Sequence, residues 1–286
     1  MAPKRIISLV ILAFLVVMSA AAYAQHSASG DEVIYVAITI DTERDYPPYM
    51  DTFRGIDEGL PLLEGLLEAH DISATFFVTG RVAQERPEAV YRLSLDHEIG
   101  CHSLNHDVAL YTLPYDELES RVSEATGLIE QLIGRDVVSF RSPFHSGSTE
   151  LMHILESLGY TTEGSATKLS SYPYHPSADD WEVAGDMDIL RVPVSNGPSY
   201  LYTFFYYDSS LIDGYEHALS EQEGRNVKLV VIGLHPWEFC EMQTGHAGWD
   251  RVCGNKTYAM LSELLDYLDG QPVEYVTYSE IPGLFD

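Results

Sequence analysis

Positive charge is scarce in this sequence. Sixteen lysines and arginines face 44 aspartates and glutamates, a formal net charge of −28. Nucleic acid and anionic membrane both call for a basic face, so neither is expected as a partner. The acidic residues are scattered along the whole chain, the pattern of a solvated surface rather than of a patch built for one cationic ligand. Cysteine is scarce too. Cys101, Cys240 and Cys253 permit at most one internal disulfide. Cys240 and Cys253 enclose a short polar segment and are the expected pair, while Cys101 reads as a buried small hydrophobe. No repeat of fixed period is present, which excludes repeat architectures.

Long apolar runs are confined to the start. Lys4 and Arg5 precede an apolar stretch from Ile6 to Met18, and Ala22 to Ala24 offer small residues for peptidase cleavage. This pattern predicts an export signal over residues 1–24 and a short linker over 25–32, followed by one domain over 33–286. The apolar run is shorter than a comfortable membrane span of roughly 20 residues, so a secreted protein without a stable span is expected after cleavage. The alternative is an uncleaved N-terminal anchor that leaves the domain facing outside. Nothing here specifies an oligomeric state.

Apolar residues make up 45% of the 286 positions, enough for one sizeable core or two small ones. Strand-like runs occur at Val33–Ile40, Ser73–Val78, residues 97–101, Val137–Phe140, Ile189–Val194, Lys228–Leu234 and residues 273–278. Helical spacing separates them: Ile56 to Leu67, residues 87–95, Pro114 to Gly134, residues 149–159 and residues 258–268. Ser165 to Asp188 lacks periodicity and reads as long loops. The alternation implies parallel strands joined by crossover helices, and about seven such units predict a distorted (β/α) barrel in the α/β class.

In parallel α/β folds the chemistry gathers at the carboxyl ends of strands. Asp41, Thr42 and Glu43 follow the first strand; His102 and His106 follow the third; Arg141 to His145 follow the fourth; and His235 to Glu238 follow the run ending at Leu234. Two histidines four apart can share one metal if their segment is helical, and a carboxylate from Asp41 or Glu43 would complete a two-histidine, one-carboxylate set. Such a set with open positions suits a catalytic divalent metal, and the remaining carboxylate can act as a base. Arg141 would keep that base ionised. His235 can protonate a leaving amine.

These segments resemble the polysaccharide deacetylase family, also called nodulation-protein-B-like or carbohydrate esterase family 4. "SATFFVTG", "HEIGCHSLNHD", "RSPF" and "GLHPWE" stand in the family's order, and the resemblance spans about Val33 to Tyr278. It implies a metal-dependent hydrolase that removes acetyl groups from an N- or O-acetylated glycan and releases acetate. It also implies Asp41 as base, Arg141 as the residue that orients it, and His235 as acid. Glu43, His102 and His106 would hold one divalent metal, zinc first, with cobalt, nickel or manganese as alternatives. Phe144, through its backbone N–H, and Leu234 and Trp237 beside the acid would contact substrate or oxyanion.

The sequence departs from the family pattern in two places. Thr42 occupies the place where the usual first motif has its metal-binding aspartate, which moves the ligand role to Glu43. The acidic residue that supports the base–arginine pair has no clear match, with Glu163, Asp179 and Asp180 as candidates. Two other readings stay open: a metal-independent hydrolase of a small amide or ureide, resembling allantoinase, and a non-catalytic glycan-binding relative. The aromatic run Tyr200 to Tyr207 reads first as core.

Overall fold

The computed structural model describes residues 33–47, 50–106, 108–167, 170–196, 200–206, 208–243, 250 and 253–285. The expected signal and linker lie outside the described residues. Residues 34–286 form one compact unit. Among the described residues no helix is long and apolar enough to cross a membrane.

Eight strands make one sheet: β1 (Ile34–Thr42), β2 (Thr75–Val78), β3 (Glu98–Cys101), β4 (Ser139–Phe140), β5 (Thr162–Glu163), β6 (Leu190–Arg191), β7 (Lys228–Leu234) and β8 (Val273–Tyr275). The order is β6-β5-β4-β3-β2-β1-β7, and every pairing is parallel. β7 takes one edge of β1 along Ile34–Ile40. The other edge is shared, with β8 against Ile34–Val36 and β2 against Thr39–Thr42. Among the described residues there is no regular ladder between β6 and β7. The chain after β6 bridges the gap instead: Ser195 N–H donates to Val231 O (3.1 Å), and Leu201 O accepts from Gly233 N–H (2.8 Å). The result is the distorted (β/α) barrel expected from the alternation. The extra strand, β5, has two residues and is too short to leave a hydropathy signal.

β1 is an interior strand, paired with β7, β2 and β8, and is buried along all nine residues, as a parallel strand covered on both faces requires. Around the sheet run α1 (Leu60–Ala69), α2 (Gly80–Glu85), α3 (Pro87–Leu93), α4 (Tyr115–Ile133), α5 (Thr149–Ser157), α6 (Leu211–Ser220), α7 (Asn255–Leu268) and the short α8 (Pro282–Phe285). α4 buries Leu118, Val122, Ala125 and Ile129 and stops at Gly134, whose φ of 72° closes the helix with an N–H bond to Glu130 O. α1 starts later than the spacing from Ile56 predicts, because Gly55–Gly59 forms a π turn first. Gly55 lies against the Trp237 backbone, where an added Cβ would come within 2.5 Å of Trp237 N. That close approach fastens the loop after β1 to the loop after β7.

Ser165 to Asp188 has no helix or ladder strand among its described residues, as expected, and isolated antiparallel bridges tie it down, Tyr174 with Arg191 and Pro176 with Ala184. One helix and one disulfide differ from expectation. α6 was not foreseen. Its buried positions are Leu211, Gly214, Tyr215 and Ala218, and two of those four side chains are too small to mark an apolar stripe. The Cys240–Cys253 disulfide is absent. Both thiols are free and pack with Trp237 and Met242 in one apolar cluster, and burial pushes the Cys240 thiol up to about 11.

Gly233 in β7 lies flat beneath the Tyr202 ring, and a Cβ there would fall far inside contact distance of that ring. We expect Gly233→Ala to displace Tyr202 and cost about 1–3 kcal/mol of stability, as overpacking of a tight core does. Urea unfolding of the variant against the parent measures it, and an unchanged midpoint would contradict this packing.

Candidate active site

The sheet register brings the polar residues together. Thr42 pairs with Val78, Val78 with Cys101, and Cys101 with Phe140, so these four residues lie at one level across four strands. The next residue on each strand is Glu43, Thr79, His102 and Arg141. On the other side of β1, Ile40 pairs with Leu234, which puts His235 level with Asp41. Five residues distant in sequence thus emerge on one rim because their strands end together.

Asp41 and Arg141 form a buried pair. Arg141 Nη1 donates to Asp41 Oδ1 at 2.7 Å, its Nε to Gly164 O at 2.9 Å, and its Nη2 to the Tyr278 hydroxyl at 3.0 Å. Tyr202 donates its hydroxyl to Asp41 Oδ2 at 2.7 Å. Burial alone would raise the Asp41 carboxyl. The Arg141 guanidinium, with His102, His235 and His145, outweighs burial and holds Asp41 well below the usual carboxylate range.

Glu43 is 3% exposed and lies among three histidines. Its Oε2 is 3.1 Å from His106 Nε2 and 3.4 Å from His102 Nε2, and its Oε1 is 3.8 Å from His235 Nε2. His102 Nδ1–H donates to Arg141 O at 2.8 Å, which leaves Nε2 as the bare nitrogen. Burial lowers the His106 imidazole to about 4, so it too offers a neutral ligand nitrogen. Glu43 Oε2 and His102 Nε2 are buried without a hydrogen-bond partner. One donor atom from each of Glu43, His102 and His106 lies within 4.8 Å of the other two. The bare His102 nitrogen, the neutral His106 imidazole and an unpartnered carboxylate oxygen suit a divalent cation, and no permanent cation pairs with Glu43 among the described residues. These three side chains could hold a metal.

His102–His106 is not the helix that the i, i+4 spacing suggested. The segment is a loop in which Ser103 (φ 63°) and His106 (φ 51°) adopt left-handed backbone. The loop, not a helix face, brings the rings to 5.1 Å between centroids. Phe144 covers the His106 ring at 4.3 Å. None of the three acidic candidates reaches Arg141. Glu163 accepts from Arg191 Nε (2.9 Å) and Ser165 N–H (3.0 Å), and Asp179 and Asp180 are exposed. Tyr202 and Tyr278 hold the pair in their place. Tyr202 lies within the aromatic run flagged above. Tyr278 follows β8, the strand-end position that carries the other polar residues.

His235 is held from its own loop. Its Nδ1–H donates to Glu238 Oε1 at 2.7 Å, and its backbone N–H reaches the same oxygen at 2.9 Å. The Thr203 hydroxyl donates to Glu238 Oε2. Burial alone would lower the His235 imidazole. The Glu238 hydrogen bond and charge, joined by Glu43 and Asp41, raise it above its ordinary value. Sequence reasoning passed over Glu238, although it closes the quoted "HPWE". Phe144, Trp237 and the polar residues line one cavity of about 180 Å³, whose aromatic walls include Tyr46, Tyr202 and Phe204. Leu234 is fully buried beneath it and does not line it.

The profile of the polysaccharide deacetylase family matches residues 32–162, the segment that carries Asp41, Glu43, His102, His106 and Arg141. Over that segment, somewhat less than half of the chain, the sequence is similar to the polysaccharide deacetylases. Two curated relatives are similar to this chain over part of their length. One is a chitooligosaccharide deacetylase of Azorhizobium caulinodans, 34% identical over 101 residues, which are 35% of this chain and 48% of the relative. The other is a peptidoglycan-N-acetylmuramic acid deacetylase of Bacillus subtilis, 27% identical over 131 residues, or 45% and 49% of the two chains. The chain thus spans about half the length of each of these two. A solved structure from Mycobacterium smegmatis, of a protein assigned to the polysaccharide deacetylases, superposes with a TM-score of 0.68 at 21% identity. It covers 88% of this chain and 89% of that one, so the likeness of fold extends well past residue 162.

Two outcomes are expected. Replacing both His102 and His106 by alanine should remove a bound zinc-like ion while the far-ultraviolet circular dichroism persists, which elemental analysis and spectroscopy together check. In the metal-free protein, burial keeps His106 neutral down to about 4 and His145 down to about 3. Both titrate near 6.5 when unfolded. Below about pH 6.5 the unfolded chain therefore binds more protons, and stability should fall as pH drops, by up to about 1.4 kcal/mol per unit for each histidine. His235, shifted upward, acts in the opposite sense above that range. Denaturant midpoints that stay constant from about pH 7 to about pH 5 would contradict the neutral burial of both rings.

Proposed function

We propose that this protein is an exported, metal-dependent deacetylase acting on an N-acetylated glycan. The observation that carries the metal dependence is the buried, unpartnered Glu43 Oε2 facing two histidine nitrogens. A carboxylate oxygen left bare in a buried site is costly unless a cation meets it. That same observation disfavours the metal-independent amide hydrolase. The names of the curated relatives support a glycan substrate. The charged N-terminal residues and the apolar run behind them support export.

Glu43, His102 and His106 would be the ligands. A divalent cation held there would supply Lewis acidity toward the acyl carbonyl and a water. Asp41 accepts the proton of the attacking water. Its two oxygens already take hydrogen bonds from Arg141 and Tyr202, but a carboxylate has about four lone-pair sites, so a further acceptor position remains. Arg141 keeps that carboxylate ionised and immobile. The Phe144 N–H takes no part in the turn that its neighbours close through Ser142 O and Pro143 O, and it serves as an oxyanion donor. His235, with Nδ1–H fixed on Glu238, presents Nε2 to the site and gives its proton to the departing amine. Glu238 offsets the charge of the imidazolium, as a carboxylate behind a catalytic histidine does. The cavity of about 180 Å³ is smaller than the roughly 300–1,000 Å³ of whole-ligand pockets. It suits the acylated end of one sugar, with the remaining chain outside.

Asp41→Asn should retain the metal and lose about 10²–10⁴ in kcat, whereas Glu43→Gln should lose the metal. Acetate release from N-acetylglucosamine oligomers by the zinc-loaded chain, with metal content determined on each variant, tests both. Metal loss in Asp41→Asn with retention in Glu43→Gln would reverse the two carboxylates.

A further inference from the structure

His145 has no part in the chemistry above, yet it lines the same cavity. Phe144 (φ 56°) and His145 (φ 53°) are consecutive non-glycine residues in left-handed backbone. Such conformations persist where surrounding structure enforces them, and they cluster at functional sites. Here Pro143 and the N–H bonds from His145 to Ser142 O and from Ser146 to Pro143 O hold the turn. The turn sends Phe144 over the metal-side histidine and His145 to the base side.

The protonation of His145 follows from its neighbours. The Ala166 backbone N–H donates to His145 Nδ1 at 3.1 Å. A backbone N–H can only donate, so Nδ1 carries no proton. Burial, with the Arg141 cation nearby, keeps the ring neutral against the pull of Asp41. The single ring proton is therefore on Nε2. Among the described residues Nε2–H has no hydrogen-bond partner and no ion pair with Asp41. The ring stands 5.4 Å from the Tyr202 ring, which also neighbours His235 at 5.4 Å and Phe204 at 5.5 Å. The Tyr200 ring lies 6.1 Å from it. A neutral N–H donor is thus built into the cavity wall on the side of the base.

We propose that His145 determines specificity by donating its Nε2–H to an oxygen of the acylated sugar ring, a hydroxyl or ring oxygen beside the acyl group and not the acyl oxygen itself. A neutral donor suits this place, since a cation so close would compete for Asp41. The assignment rests on the deacetylase reading.

The test uses the zinc-loaded full chain, its His145→Asn and His145→Gln variants, and two substrates: an N-acetylglucosamine tetramer and 4-nitrophenyl acetate, which lacks the sugar. Asn keeps an acceptor for Ala166 N–H but cannot reach the Nε2 position. Gln places an amide donor near it. We expect His145→Asn to lower kcat/KM on the tetramer by about 10–100-fold, the range for a lost polar contact that leaves its partner unpaired. The loss on the aryl acetate should be at least about tenfold smaller, and His145→Gln should recover most of the loss on the tetramer, with metal content equal in all three. Equal losses on both substrates would overturn the assignment in favour of a structural or acyl-oxygen role. An unaffected His145→Asn would overturn it outright while leaving the deacetylase reading intact. A wild-type chain that releases acetate from no N-acetylated glycan would overturn the deacetylase reading and the assignment with it.

Discussion

A guanidinium with no exposed surface must be satisfied on every side, and Arg141 sets that demand at the centre of this fold. Removing such an ion from water costs several kcal/mol even after relaxation. The return comes from four elements at once: the Asp41 carboxylate of β1, the Gly164 carbonyl after β5, the hydroxyl of Tyr278 after β8, and the Phe77 ring of β2, 4.3 Å away. Each partner is available only if its strand is in register. The same contacts that neutralise Arg141 therefore fix the position of the proposed base.

A second buried pair extends this logic outward. Arg191 in β6 donates to Glu163 of β5 and to the Ser165 carbonyl, and lies against the Trp181 ring at 4.2 Å. Ser165 in turn accepts from the Ser142 N–H through its hydroxyl, which steadies the turn that carries Phe144 and His145. The residues from 165 to 188, irregular in hydropathy, are thus anchored by charge and not by an apolar face. Against these two matched pairs Glu43 stands out as a buried carboxylate with only imidazoles around it. The proposed ligand role of Glu43 rests on that asymmetry.

Much of the site was legible because parallel sheets place chemistry at strand ends. Asp41, Glu43, His102, Arg141 and His235 each follow an apolar run, and the register delivers them to one rim. The second layer was not legible in this way. Glu238, Tyr202, Tyr278 and His145 are unremarkable by type, and their roles arise from contacts across 3 to 161 residues of chain. The acid absent from its usual place was sought among Glu163, Asp179 and Asp180. Two tyrosine hydroxyls hold the base–arginine pair and a local glutamate holds His235, because hydrogen-bonding geometry rather than residue class decides which group can serve. The expected disulfide failed for a related reason: spacing along the chain does not establish that two thiols meet in bonding geometry.

The amino-acid sequence alone determined the alternation of strand and helix, hence the parallel (β/α) architecture, and the polar residues that end the strands. These depend on local periodicity and on the two faces a buried strand presents. The tertiary structure alone decided that His102 and His106 converge through left-handed loop residues, that Arg141 is enclosed by Asp41, Gly164 and Tyr278, and that His145 lines the cavity with its Nδ1 taken by the Ala166 N–H. Each of those depends on distances between atoms far apart in the chain, which no local pattern encodes.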